Sequence, residues 1–580
     1  YKVSDYVVRH VAAQGVTHVF ELAGGMLAHL LDSASRLGAV KLVSMHHEQG
    51  AGFAAEGFAR VRGVPGVALA TSGPGATNLL TAVGSCYFDS TPAVFITGQV
   101  NRNELKGDRP IRQLGFQETD ITSVARPITK ATWQVADPAR IGEVLDRAFD
   151  TALSGRPGPV LVDIPMDVQR CVVPLPEPTR RALPTPDASR VRSADVDAVV
   201  TLLSRAERPL VLVGGGVRAG RAGDPCRRAL EHLGVPVVRS LMGLDVLPHG
   251  HPLEFGMIGS YGNRWANFAL GECDALLVVG SRLDIRQTGT DVEGLARRPI
   301  VHVDVDPGEI GNRVRVERAV IAGAADFCEA IALAPRPRGD RTAWVGRLAE
   351  LRARWPDTSE LKDLPGLNPN VFLRRLAAAS GPAAAFVVDV GQHQMWAGQS
   401  LAFGDGQRFL TSGGMGAMGF ALPAGIGAAI ASARPVVVVA GDGGFQVNIQ
   451  ELQTVVRNRL PIKMVVLNNR AHGMVRQFQE SYFESRYQST VLGYDAPDFA
   501  KLGAAYGVAS RRLETEDAGS GAELDRAVVE GLAFLWRDPA EPALLEVGVP
   551  QAANAYPKLA FGRAITEMEP IAKPLDMEGT

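Results

Sequence analysis

The chain has 580 residues, 46% of them hydrophobic and 21% charged, too much for one hydrophobic core and suited to three or four of roughly 100 to 200 residues each. Its 60 basic and 62 acidic residues leave a net charge of −2, which is neither the basic footprint of a nucleic-acid binder nor an electrostatic membrane anchor, so small-molecule substrates are the expected partners. Five scattered cysteines without a C-x-x-C pair exclude a disulfide framework or zinc ribbon; with no apolar run near the roughly 20 residues that span a bilayer and no signal peptide before the first helix, a cytoplasmic location is expected.

Along the first third, "THVFEL", "VKLVSM", "GVALAT", "AVFITG" and "PVLVDIP" read as strands alternating with helical patterns. That alternation predicts βαβ units and a mostly parallel sheet covered by helices, here over residues 1–170. Within it, "VSMHHEQGAGFAAEGFAR" (43–60) sets His46, His47 and Glu48 between an apolar run and a small-residue helix. All three are good metal-ligand types, but neighbouring side chains point in different directions and no helical H-E-x-x-H spacing is present. On the residues alone, ordinary polar roles for them weigh evenly against a functional one.

The proline-rich "VVPLPEPTRRALPTPDASR" (172–190) breaks the pattern as a linker. A second α/β block over 190–335 has "PLVLVGGG", "ALLVVGSR" and "IVHVDVDP" as strands. After "ALAPRPRGD", one helical segment and "DLPGLNPN" lead to a third block over 365–553, with "AFVVDVG", "PVVVVAGDGG", "IKMVVLNN" and "ALLEVGVP". The tail 554–580 shows no strand or helix period and is expected to wrap over the surface or the site. Three parallel-sheet α/β domains are therefore predicted.

In the third block, Gly441, Asp442, Gly443 and Gly444 follow a buried strand, and Asn468 and Asn469 end the next one. One helix separates them, so both ends share the carboxyl edge of the sheet, where α/β proteins place ligands. Glycines admit a diphosphate close to the backbone, and a helix start supplies N–H donors. Asp442 and Asn469 add two hard oxygen ligands for magnesium.

The "GDGG" and "NN" pair, 27 residues apart, resembles the thiamin diphosphate (ThDP) fold motif. "EQGAGFAAEGFAR", "ATSGPGATNLL", "FDSTPAVFITGQV", "FQETDI", "GRPGPVLVDIP", "DVGQHQMW", "TSGGMGAMGFALPAGIGAA" and "NNRAHGMV" are together similar, in order, to the acetohydroxyacid (acetolactate) synthase family. That resemblance implies two ThDP-binding domains flanking a Rossmann-like FAD-type domain. Asp442, Asn469 and the carbonyl of Ala471 would hold the metal. Gly391, Gln392 and His393 would grip the diphosphate and Met418 would sit beneath the bent coenzyme, with Gly416, Gly441, Gly443, Gly444, Asn469, Gly473 and Met474 also binding the cofactor. Glu48 would hydrogen-bond N1′ of the aminopyrimidine and so activate the cofactor. Gly25, His47, Phe116, Gln117, Lys130, Arg286 and Phe478 would face substrate, and Gly214, Gly215, Gly216, Arg282 and Asp304 would contact FAD. On residue type alone, Met418 and Phe116 read as core, and Arg286 as an ion-pair partner. The family's pairing of the first domain of one subunit with the third of another makes a homodimer the minimum unit and a homotetramer the expected assembly.

Three departures bear on the second substrate: Phe478 where the family carries a tryptophan, Ile285 where an acidic residue is expected, and Ser260, Tyr261 and Gly262 in place of Met-His-Gly beside the flavin. A longer 101–121 segment and the tail "YPKLAFGRAITEMEP" are similar to the yersiniose-pathway subgroup, which adds an acetyl unit to a keto-sugar. The expectation is a ThDP-, Mg- and FAD-containing carboligase that decarboxylates pyruvate and passes the two-carbon unit to a carbonyl acceptor, a ketone such as a keto-sugar being favoured over a second pyruvate, which would give 2-acetolactate. An NAD-dependent oxidoreductase is only loosely suggested by "VGGGVRAGRAG". A catalytically dead relative would have lost Glu48, Asp442 or Asn469.

Overall fold

The computed structural model describes residues 1–180, 183, 185–513, 515 and 521–575. Arg181, Ala182 and Pro184 of the expected linker and 576–580 of the tail lie outside the described residues. The first sheet holds β1 (His18–Glu21), β2 (Lys41–Ser44), β3 (Gly66–Ala70), β4 (Ala93–Gln99), β5 (Ala131–Gln134) and β6 (Pro159–Pro165). The second holds β7 (Pro209–Val213), β8 (Val237–Arg239), β9 (Glu254–Met257), β10 (Ala275–Val279), β11 (Ile300–Asp304) and β12 (Arg318–Ile321). The third holds β13 (Ala385–Val388), β14 (Arg408–Leu410), β15 (Val436–Gly441), β16 (Ile462–Asn468), β17 (Ala509–Leu513) and β18 (Ala543–Gly548).

Every neighbouring pair in these three sheets is parallel, as the continuous apolar runs require of strands buried on both faces. The strand orders are β2-β1-β3-β4-β6-β5, β12-β11-β10-β7-β8-β9 and β14-β13-β15-β16-β18-β17. Three parallel-sheet α/β units are thus present, each with two or three strands beyond those expected except the first, which gains only β5. The tail differs from expectation, because β19 (Lys558–Leu559) pairs antiparallel with β20 (Met568–Glu569).

The helix Thr342–Arg354 returns to the second unit, where Trp344, Leu348 and Leu351 join its core and the Trp344 indole N–H donates to the Pro209 carbonyl at 3.0 Å. The first and third units share one core. At its centre the helices Glu48–Arg62 and Ala421–Ser432 cross so closely that a Cβ on Gly57 would overlap the Ala424 carbonyl, and one on Gly427 would overlap that of Ala54. Only glycine permits that backbone approach. Among the described residues, no helix is long and apolar enough to cross a membrane.

Candidate active site

β15 lies between β13 and β16, so the segments leaving these three strands meet at one carboxyl edge. From β13 come Asp389, Val390 and Gly391 and then the helix Gln392–Ser400; from β15, the helix Asp442–Val447 directly; from β16, Asn469 to His472 and the helix Gly473–Tyr482, whose first two residues are Gly473 and Met474. Small residues are needed here because the segments touch. A Cβ on Gly441 would lie 2.8 Å from His393 Nδ1, one on Gly391 2.6 Å from His393 Cε1, one on Gly444 2.7 Å from Asp389 Oδ1, and one on Gly473 would overlap Gln392 Oε1. A Cβ on Gly443 would stand 2.9 Å from His472 and 3.3 Å from the Met418 methyl, which places Met418 across the pocket from the glycine turn.

The polar atoms of this pocket are ordered by one another. Asn469 Nδ2 donates to Gln392 Oε1 at 3.1 Å, Gln392 Nε2 donates to Gln477 Oε1 at 3.1 Å, and Asn469 Oδ1 accepts from the Ala471 N–H at 3.2 Å. Asp442 is buried and accepts from the Tyr494 hydroxyl at 2.9 Å. Burial raises its pKa to about 6, against the lowering effect of that hydroxyl. His393 is buried too, and burial drops its pKa to about 3, so it is neutral near pH 7. Its Nε2 has no hydrogen-bond partner among the described residues. An uncompensated polar atom of this kind calls for a ligand. Among the described residues no group of three or more His, Cys, Asp or Glu side chains could cage a metal. His46, His47 and Glu48 do not come together as such a group among the described residues, and a cation beside Asp442 would have to complete its shell with amide, carbonyl and diphosphate oxygens, which suits magnesium.

Glu48 opens the helix Glu48–Arg62 and is buried. Its Oε2 accepts from Asn78 Nδ2 at 2.9 Å, while His47 caps the helix by accepting the Gln49 N–H on Nδ1 at 3.0 Å. The loop Thr71–Asn78 closes over Glu48: a Cβ on Gly75 would be 3.1 Å from Glu48 Oε1, and one on Gly73 would be 3.1 Å from Gln117. Gln117 (φ 66°) is thereby brought towards Glu48, and its neighbour Phe116 is 79% exposed. Gly25 is exposed, with open space around it, at the start of a turn after β1 whose Leu27 is buried. Among the described residues no hydrogen bond joins Glu48 to Asp442, Asn469 or Ala471. Lys130 stands apart from these residues, its Nζ donating to the carbonyls of Thr151 and Ser154, each at 2.5 Å, at the end of the helix Ile141–Leu153. A cation there neutralises free helix carbonyls.

A third region is a groove of about 930 Å³ between the units, lined by Gly215, Gly216, Tyr261, Arg282, Asp304 and Arg286 among others. The glycines serve the fold first: a Cβ on Gly214 would overlap the Gly280 carbonyl, and one on Gly216 would be 2.7 Å from Gly280 Cα, where β7 and its neighbour β10 end together. Arg282 pairs with Asp284 at 3.1 Å, and Asp304 accepts the Asp306 N–H at 2.9 Å. Arg286 is exposed beside Ile285. Phe478 packs on Tyr482 and Phe483, with ring centroids 4.8 and 5.7 Å apart.

Comparison with known proteins matches residues 1–124 to the N-terminal TPP binding domain of the thiamine pyrophosphate enzymes, 196–331 to their central domain and 389–547 to their C-terminal TPP binding domain. The acetolactate synthase isozyme 2 large subunit of Escherichia coli K12 is 36% identical over 568 residues, 97% of this chain and 98% of that one. The acetolactate synthase large subunit of Parasynechococcus marenigrum is 37% identical, covering 97% of this chain and 89% of its own, and the probable one of Methanocaldococcus jannaschii is 34% identical over 100% and 96%. The chain belongs to the acetolactate synthase family of thiamine pyrophosphate enzymes.

As a ThDP-dependent, acetolactate synthase-type enzyme it uses thiamin diphosphate with magnesium, and the glycine turns, the unpartnered His393 nitrogen and the Asp442–Asn469 pair fit that group. Sequence reasoning missed residues that hold the named ones. Asn78 lies inside the quoted "ATSGPGATNLL", and Asp389 begins "DVGQHQMW". Buried, with its pKa raised to about 6, Asp389 accepts the N–H groups of Gly419 at 3.0 Å and Ala421 at 2.9 Å, fixing the loop that carries Gly416 and Met418. Tyr494 and Gln477 carry no motif signal; only the fold brings them in.

Proposed function

We propose that this protein decarboxylates pyruvate and joins the two-carbon unit to a second pyruvate, giving 2-acetolactate. What carries the reading is the ThDP–magnesium pocket around Asp442, Asn469 and His393 in a chain that aligns almost end to end with proteins named acetolactate synthase. The ketone acceptor expected from the longer 101–121 segment and the tail, beside the departures at Phe478, Ile285 and Ser260–Gly262, finds no support in those names, and a second pyruvate replaces it.

Bound thiamin diphosphate supplies the nucleophilic carbon and electron sink that decarboxylation of a 2-ketoacid needs. In this reading Asp442, Asn469 and the Ala471 carbonyl hold magnesium, while Gly391, Gln392, His393, Gly441, Gly443, Gly444, Gly473 and Met474 receive the diphosphate. Met418 and Gly416 support the coenzyme. Glu48, whose Oε1 takes no hydrogen bond from the described residues, accepts one from the aminopyrimidine. In this reading, as the family resemblance implies, Glu48 serves the pocket of a second copy, which makes a homodimer the smallest active unit. Arg286 offers a planar, exposed fork to the carboxylate of the acceptor, and Phe478, Gln117, Phe116, Gly25 and His47 face the substrates. The groove lined by Gly215, Gly216, Arg282 and Asp304, with Gly214 next to it in the chain, takes FAD, and the assembly is a cytoplasmic tetramer. A flavin absorption spectrum from purified protein tests the groove; its absence from protein refolded and dialysed with FAD would refute that assignment.

A further inference from the structure

The turn that carries Glu48 is held from the third unit. Glu451, fully buried in the short helical turn Ile449–Glu451, accepts the His46 backbone N–H on Oε1 at 3.0 Å, and its other oxygen accepts the Thr454 hydroxyl at 2.7 Å. A Cβ on Gly50 would stand 2.7 Å from that same Oε1, so the carboxylate lies against the first turn of the helix that Glu48 opens. Three residues before Glu451, Asn448 Nδ2 donates to Gln49 Oε1 at 3.0 Å. His46 and Gln49, on both sides of Glu48, are thus fastened to one segment, and that segment begins at Asp442. A helix start has N–H groups without internal partners. Glu451 does not take one of these, since His46 lies one residue before the N-cap His47; its carboxylate fixes the chain entering the helix and complements the positive end of the helix.

We propose that Glu451 is the positioning residue for Glu48, setting where its carboxylate stands by gripping the His46–Gly50 turn. The inference rests on the reading of Glu48 as the group that activates the cofactor. It concerns contacts within one chain, between a side chain with no assigned role and the turn that carries the residue on which activation depends. Small displacements of such a group cost up to about a hundredfold in rate.

The test combines two readouts. In protein without cofactor, amide hydrogen exchange over residues 45–52 is compared for wild type, Glu451→Ala, Glu451→Gln and Gly50→Ala. Glu451→Ala and Gly50→Ala are expected to exchange about tenfold or more faster there, while Glu451→Gln, which keeps an acceptor oxygen, returns most of the protection. With saturating ThDP and magnesium, exchange of the cofactor C2 proton is expected to slow about tenfold to a hundredfold in the same two variants, with ThDP affinity within about threefold of wild type and the glutamine variant restored. Gly50→Ala displaces the carboxylate without removing it and decides the matter if Glu451→Ala does not fold. Unchanged amide protection in both variants overturns the proposal whatever the cofactor does. Slower C2 exchange with lost ThDP affinity in equal measure also overturns it, since that pattern marks a general loosening. The Glu48 reading is judged separately, by Glu48→Gln in the C2 assay.

Discussion

Glu48 is a carboxylate buried at a helix start with Asn78 as its side-chain partner. Such a group can offer its second oxygen to a ligand at no cost in protein hydrogen bonds. Replacing it with glutamine keeps the shape and removes the charge, so pyruvate turnover at saturating ThDP should fall about 10² to 10⁴-fold, the usual range for losing an acid–base group, with the far-UV spectrum unchanged. Asp442→Ala should weaken magnesium-dependent ThDP binding by more than about a hundredfold in calorimetry, since even outer partners of a metal cost roughly 10 to 100-fold. That Asp442 and Asn469 follow two adjacent strands was legible from their spacing, and the structure places them there. Asn78, Asp389, Tyr494 and Glu451 were not legible, because each acts on a residue brought near only by folding and has no periodic signature.

At the scale of elements, the strands that pattern reasoning found are, apart from the edge strand β2, the interior ones, whose apolar runs are buried on both faces. Those it missed are β5, β8, β9, β12, β14 and β17; all but β8 lie at a sheet edge. Edge strands here are short or half-exposed, as in "ATWQ" and "ASRRL", and their polar or arginine-rich stretches look like loop. The same limit hid the β19–β20 ladder, only two residues long on each side. Helix packing follows a rule the sequence does carry: small residues at 50–57 and 424–429 mark the crossing of the two central helices. Gly57→Ala drives a Cβ into the Ala424 carbonyl, which has no room to retreat, and should cost about 1–3 kcal/mol, read as a lower thermal midpoint. Gly38→Ala, at a surface helix end with nothing near it, controls for backbone strain without a clash.

At the scale of the molecule, the first and third sheets have one strand order. Counted from the first strand of each, both run 2-1-3-4-6-5, whereas the middle sheet runs 6-5-4-1-2-3. Of the two outer units, the first carries Glu48 and the third Asp442. The middle unit is fastened to the third by Asp245, which accepts Arg408 Nε at 2.7 Å, Arg218 Nε at 2.9 Å and the Phe409 N–H at 3.1 Å. Burial opposes its charge, but Arg408 and Arg218 outweigh it and hold the pKa at about 2. Because the folded value lies below the unfolded one, the stabilisation is complete above roughly pH 4 and is lost as pH falls towards about 2. Asp245→Asn should therefore unfold at lower temperature than wild type at pH 7, with the gap closing on acidification; a gap constant down to about pH 3 would contradict the pairing.

The central claim is that this ThDP site condenses two molecules of pyruvate. Purified protein supplied with ThDP, magnesium, FAD and pyruvate alone should form 2-acetolactate and carbon dioxide in equal amounts, with two pyruvates consumed for each. Pyruvate consumption that yields acetaldehyde or acetate without acetolactate, or that proceeds to a carbon–carbon product only when a ketone is added, would contradict the account.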